Sequence, residues 1–320
     1  MTTAAKRRGK RSDFWVRFRK QGAIQAFVWA GIIYLIIFNV IPMFGLIIGF
    51  KNYKINSGIA GMFTSPWVGL KYFREFVTDY KFARLVRNTI ALSVLKLVLT
   101  FPMPILFALM VNEIRNLRFK KILQTASYLP HFISWIIISG ISFQFLSAGG
   151  IINTVLMKVF GMAKPINFMT DPKLFWGLAV FLDIWKEMGW WTIIFLASIA
   201  GINPDLYEAA QIDGASRMQR IRFITLPNIT STIVVVLIMT IGNLLGGGLS
   251  GSNFEQSYLL GNSVNADTSE IIQTYVFKVG LQEGRYSYAT AVGLIQSVIS
   301  LILIFISNFV SKKIAGSGLF

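Results

Sequence analysis

The sequence predicts an all-α membrane protein of six transmembrane helices, and two observations carry that expectation. The first is composition: of 320 residues, 54% are hydrophobic and only 14% charged, against about 25% charged in an ordinary soluble domain. The second is where charge is missing. No Asp, Glu, Lys or Arg lies within 22–50, 122–157, 223–254 or 286–311, and the windows 88–112 and 174–202 are apolar around isolated charges. Each window reaches the ~20 residues needed to cross ~30 Å of hydrocarbon.

Spans are therefore expected at about 24–49, 87–111, 122–147, 174–201, 228–248 and 287–311, in one membrane domain over 22–311. The first stretch far exceeds the 7–15-residue core of a cleavable signal, so it is expected to be a span. Pro102 and Pro104 are expected to kink the second helix and free backbone carbonyls. The third window is too long for one span, and Gly149-Gly150 is expected to end its helix. Gly246-Gly247-Gly248, at the end of the fifth, reads as a helix end or break, or as backbone lining a cavity. Connectors at 51–87, 149–173 and 253–285 are too short to be domains. The first of them carries a helix, and in the last Ile271-Ile272, Tyr275-Val276 and Val279 suggest an interfacial helix.

The formal net charge is +17, and eight of the 31 basic residues precede the first span. That cluster is a positive-inside signal, which puts the 1–21 tail in the cytoplasm. Six spans return the 312–320 tail, with Lys312 and Lys313, to the same side, and place Arg115, Arg118, Lys120, Lys121 and the segment 203–227 there too. Phe14–Arg19 is an amphipathic stretch suited to the headgroup layer. Membrane lipid, not nucleic acid, is the expected partner of this charge. Zero cysteines and a single histidine, His131, exclude thiolate sites and a His-based metal cluster within the chain. For His131 itself, ordinary packing and an interfacial or pore-facing role both stand. No G-x-x-x-x-G-K-[ST] loop is present, so the chain is not expected to be an enzyme or to bind ATP or another cofactor itself.

Six residues could carry a pathway. Asp183, Lys186 and Glu187 lie inside the fourth span, where ionisable groups are costly and face the bundle interior or a water-filled cavity. Their spacing puts them on one helix face, where Lys186 can pair with either acid. Trp185 and Trp190 flank them, and indole faces can stack on the C–H faces of sugar rings. A structural charge network with packed tryptophans is the competing reading. Lys96, the lone charge of the second span, either faces a cavity or pairs with another helix. Lys186 and Lys96 would also tolerate a uronate-bearing sugar.

Residues 203–227 read as a short, capped helix pair between two spans. Asn203 can cap a first helix, with Pro204 at its first position and Asp205 at the positive end of its dipole. Gly214 suits a left-handed stop, Ser216 with Gln219 forms a capping-box pattern, and Pro227 marks the hand-over to the next apolar run. Glu208-Ala209-Ala210, Asp213-Gly214, Ile224, Leu226 and Pro227 together resemble the EAA loop of bacterial ABC importer permeases. Lys120-Lys121 through Pro130, and Asp183-Ile184-Trp185-Lys186-Glu187-Met188-Gly189-Trp190, are similar to the carbohydrate-uptake branch that imports oligosaccharides from degraded polysaccharides.

That resemblance implies a subunit of the bacterial cytoplasmic membrane, translocating an oligosaccharide. Its implied partners are a second homologous permease, an ABC ATPase dimer that binds the ATP, and an extracytoplasmic sugar-binding protein. Glu208, Ala209, Ala210, Asp213, Gly214, Ile224, Leu226 and Pro227 would then couple the chain to the ATPase, and Arg217, Arg220 and Arg222 would anchor the loop to it or to lipid phosphate. The chain has six expected spans and a short first loop, whereas the maltose-type permease has further spans and a large external domain, so its sugar contacts do not transfer. An importer of another solute, such as an amino acid, peptide or phosphate, and a non-transporting membrane sensor or scaffold are the alternatives.

Overall fold

Backbone polar groups in hydrocarbon must find partners within the chain, and this protein satisfies them almost wholly with helices. A computed structural model describes residues 21–315; the basic cluster, the Phe14–Arg19 stretch and 316–320 lie outside the described residues. Among the described residues the only β pairing is an isolated Lys51–Trp67 bridge.

The helical rods are α1 (Gly22–Phe50), α2 (Gly58–Thr64), α3 (Lys71–Val77), α4 (Phe82–Asn112), α5 (Leu117–Tyr128), α6 (Trp135–Leu146) and α7 (Ile151–Phe160). They continue with α8 (Phe175–Ala200), α9 (Pro204–Ile212), α10 (Arg217–Gly242), α11 (Asn253–Leu259), α12 (Ile272–Phe277) and α13 (Tyr286–Ala315). Five rods are long and apolar enough to cross a membrane: α1, α4, the interrupted rod Trp135–Phe160, α10, and Tyr286–Val310 within α13. With 26 residues, α8 is about 39 Å long at 1.5 Å per residue. It differs from the five because every 18-residue stretch of it contains Asp183, Lys186 and Glu187.

Three of the long rods share one device. A π-turn at Ile36–Val40, Lys96–Thr100 and Ile221–Thr225 ends two residues before Pro42, Pro102 and Pro227 respectively. Proline lacks an N–H and its ring crowds the carbonyl four residues back. Widening the preceding turn reroutes the ladder, as where Phe101 N bonds Lys96 O at 3.1 Å. The rod therefore continues through the proline.

Two expected boundaries are corrected. The helix expected over 122–147 is two helices, α5 and α6, parted at Leu129–Ser134 around Pro130. A charge gap reports polarity, not continuity, and Pro130 together with the Ser134 cap breaks the run. The fifth helix, expected over 228–248, begins at Arg217 and ends at Gly242, because the π-turn carries it straight out of the connecting loop. The glycine run lies past that end, closing a 3-10 turn at Leu244–Gly246 and continuing with Gly247 at φ +114°.

Packing divides into three zones along α4, which contributes to all of them. Leu85 joins Tyr72, Phe76, Tyr275 and Tyr288 at one end. Leu92 meets Trp135, Phe175, Ala179 and Leu260 in the middle. Phe101, Ile105 and Leu109 meet Phe195, Ile199 and Ile229 at the other end. The expected interfacial helix near 271–279 is a core element instead: Ile271 is wholly buried, and Ile272, Tyr275 and Val279 are buried with it. Its apolar stripe faces α3, α4 and α13, not a membrane surface. Burial, with help from Asp79 and Tyr288, holds the Tyr275 phenol well above its ordinary 10.0. Its hydroxyl therefore stays protonated and donates to Asp79 Oδ2 at 2.8 Å.

Where apolar helices meet in lipid, small residues permit close approach. Gly189 of α8 does this against α5: a Cβ there would lie 2.0 Å from the Ser127 carbonyl oxygen. By contrast, no residue of α1 before Ile48 is buried, and Ile48 and Gly49 fix its end against α13.

Candidate functional site

The 203–227 segment folds from its own local chemistry. Asn203 Oδ1 accepts from Asp205 N at 3.0 Å, with Pro204 at the first position of α9. Gly214 stops that helix at φ +76°, a conformation costly for a residue with a Cβ. Both halves of the capping box then start α10, with Gln219 N donating to Ser216 Oγ and Ser216 N donating to Gln219 Oε1 at 2.7 Å.

Two bonds tie α9 to α10: Tyr207 Oη to Thr225 Oγ1 at 3.0 Å, and Arg220 Nη1 to Gln211 Oε1 at 3.4 Å. The candidate coupling residues separate by face. Glu208, Ala209, Asp213, Gly214 and Pro227 are exposed and Ala210 is half-buried, while Ile224 and Leu226 pack inward on the α4–α8–α10 zone. The sequence reading passed over the apolar residues on the outer face. Ile212 is 87% exposed, Met218 70% and Phe223 68%. Large apolar side chains displayed on an otherwise polar loop suit a protein partner.

The intramembrane charges form two separate networks, which corrects the expectation that Lys186 could take either acid. Asp183 is paired from another helix: Lys96 Nζ on α4 lies 3.4 Å from its Oδ1, with the two side chains 1% and 0% exposed. Ser252, from the loop after α10, bridges them. It accepts from Lys96 Nζ at 2.8 Å and donates to Asp183 Oδ1 at 2.7 Å. Lys96 thus takes the pairing alternative and not the cavity one.

One turn further along α8, Lys186 Nζ donates to Glu187 Oε1 at 3.0 Å and to the His131 carbonyl, and sits 5.8 Å from the Trp135 ring centre. His131 Nδ1 lies 2.8 Å from Glu187 Oε2, and its ring stacks on Trp190 with centroids 4.3 Å apart and planes 2° from parallel. His131 was underrated by the sequence. Its signal was its position after Pro130, which breaks the helix and turns the imidazole toward α8.

The two tryptophans part company. Trp190 is 37% exposed beside His131, whereas Trp185 lines an apolar groove of about 670 Å³ with Ile141, Phe145 and Phe181. Each lysine is matched by one carboxylate, so the interior of the span offers no surplus cation.

Comparison with known proteins places this geometry. The family described as "Binding-protein-dependent transport system inner membrane component" matches residues 90–316. Protein LplB of Bacillus subtilis (strain 168) is 42% identical over 313 residues, covering 98% of this chain and 95% of the relative. The polygalacturonan/rhamnogalacturonan transport system permease protein YteP of the same organism is also 42% identical, over 97% of this chain and 94% of its own length. Among solved structures, a bacterial ABC transporter involved in the import of the acidic polysaccharide alginate matches with TM-score 0.84 and 37% identity, over 94% of this chain and 99% of that one. A bacterial alginate ABC transporter in complex with alginate pentasaccharide-bound periplasmic protein matches with TM-score 0.85, over 95% and 99%.

Proposed function

The chain belongs to the binding-protein-dependent transport system inner membrane components, and from that premise we propose that it is the permease subunit of an ATP-driven importer that translocates an oligosaccharide. It works beside a second homologous permease, an ABC ATPase dimer and an extracytoplasmic sugar-binding protein. The ATPases bind and hydrolyse ATP; this chain supplies the path and the mechanical link. It crosses the bacterial cytoplasmic membrane six times, with both termini and the 203–227 loop inside.

The observation that carries the coupling role is the α9–α10 corner. Its backbone is fixed by the Asn203 cap, the Gly214 stop and the Ser216 box, and its outer face displays Ile212, Met218 and Phe223 beside Glu208 and Asp213. A rigid, partly apolar knob of this kind fits a cleft on the ATPase. Glu208 makes a charge-assisted contact there, Ala209 and Ala210 let the backbones approach, and Ile224 and Leu226 seat the corner on the bundle. The sugar passes along α8, where Trp190 and His131 present an aromatic edge over the Lys186–Glu187 pair.

The assembled transporter in proteoliposomes tests the coupling role. Gly214→Pro, Glu208→Lys and Ile212→Asp are each expected to abolish stimulation of ATP hydrolysis by the sugar-loaded binding protein while folded yield holds. Stimulation at the wild-type level in all three would remove the assignment.

A further inference from the structure

A pocket of about 1120 Å³ opens between the α3 region and the start of α13. It sits by the Leu85 end of α4, whereas the coupling corner packs by Leu109, roughly 36 Å away along the helix axis. Given the membrane orientation of the proposed function, on which this inference rests, the pocket faces the outside.

Its lining differs from the rest of the molecule. Tyr53 supplies a half-buried ring, Tyr72 and Tyr288 form a buried floor, and Lys71, Arg74 and Arg285 supply cations. Burial holds the Tyr72 phenol above its ordinary 10.0, so its hydroxyl remains a neutral partner and donates to Asn52 Oδ1 at 2.9 Å. The charges do not cancel. Arg285 is occupied, bonded to Glu75 and lying 4.4 Å from the Tyr288 ring centre. Lys71 and Arg74 are exposed and form no ion pair among the described residues. Lys96 and Lys186, buried between the helices, are each matched by a carboxylate. The pocket therefore sets two exposed cations, without a carboxylate partner among the described residues, beside the Tyr53 ring, and its volume exceeds the ~300–1,000 Å³ of pockets that take drug-sized ligands.

We propose that this pocket is the receiving site for a uronate-bearing oligosaccharide at the outer mouth of the pathway, with Lys71 and Arg74 taking the carboxylate and Tyr53 taking a sugar ring. Selection for an acidic sugar then occurs at the mouth, before the sugar reaches the charge-neutral stretch of α8. Guanidinium and ammonium donors suit a carboxylate. Tyrosine offers an apolar face with a polar tip, which matches a sugar ring.

The test uses the purified transporter complex without its binding protein, and trigalacturonate against its methyl-esterified, uncharged counterpart as probes. Saturation-transfer NMR is expected to detect trigalacturonate on the wild type, with affinity at least tenfold above the ester. Lys71→Gln/Arg74→Gln should lower trigalacturonate affinity roughly tenfold or more and leave the ester unchanged. Equal affinity in wild type and double variant, or equal binding of acid and ester, would overturn the proposal. So would a double variant that binds trigalacturonate normally but loses stimulation by the binding protein, since the cations would then be holding an acidic edge of that protein. Uptake by wild-type proteoliposomes supplied with the binding protein is scored separately. Its absence for every oligosaccharide counts against the permease reading, while the binding measurement decides the pocket by itself.

Discussion

Lys96 Nζ and Asp183 Oδ1 stand 3.4 Å apart between α4 and α8, both side chains buried, and the Ser252 hydroxyl bonds to each. Two helices and the loop after α10 thus converge on one neutral cluster. The net worth of such a pair is small, because desolvation opposes the attraction, but stranding one member costs about 3–5 kcal/mol.

Lys96→Met and Asp183→Leu should each lower folded yield and the melting temperature in detergent. The double variant should recover most of the loss. Ser252→Ala should cost less, about 1 kcal/mol, since it removes hydrogen bonds but leaves the ion pair. Single variants that melt like the wild type would show that the pair does not hold the bundle.

Gly189→Ala should destabilise by about 1–3 kcal/mol, because its Cβ would collide with the Ser127 carbonyl and must push α5 from α8. Gly140→Ala on α6 is the control, since a Cβ there meets nothing within 4 Å. Melting curves for the two should diverge; parallel curves would deny the tight α5–α8 contact.

On the pathway, Trp190→Ala should reduce oligosaccharide uptake at unchanged folded yield and basal ATP hydrolysis. Trp185→Ala and Trp29→Ala should not, since Trp185 faces the apolar groove and Trp29 is an exposed residue of α1. Unchanged uptake in Trp190→Ala would move the path away from the His131 face.

For orientation, cytoplasm-active reporters fused after residues 20, 118, 215 and 315 should be active, and those fused near 70, 165 and 265 silent. A silent fusion at 215 would sink the topology and the coupling role together.

What the sequence disclosed and what it hid follow the range of the forces involved. The Asn203 cap, the Gly214 stop and the Ser216–Gln219 box involve residues within a few positions of one another, so local pattern sufficed. The α5–α6 break was hidden because an absence of charge looks the same in one helix as in two. Ser252 was invisible as a site residue: its partners lie 69 and 156 positions away in the chain, and no local pattern marks a serine for that role. Asp183 and Lys186 could be picked out as costly intramembrane charges, but which acid met which lysine depended on how α4 lay against α8.

The π-turn before Pro227 has a mechanical consequence. Because it keeps α10 unbroken from Arg217 to Gly242, the coupling corner and the span form a lever of 26 residues, about 39 Å long. A tilt of 5° at one end sweeps the other through roughly 3 Å. Beyond that far tip come Gly247, Gly248 and Gly251, all with positive φ, and then Ser252, moored to Lys96 and Asp183. If the α9–α10 corner is driven by the ATPases as proposed, these glycines are placed to act as a joint between a moving arm and a fixed post. On that reading, stiffening any one of them with a side chain would make the arm drag on the post each time the ATPases close.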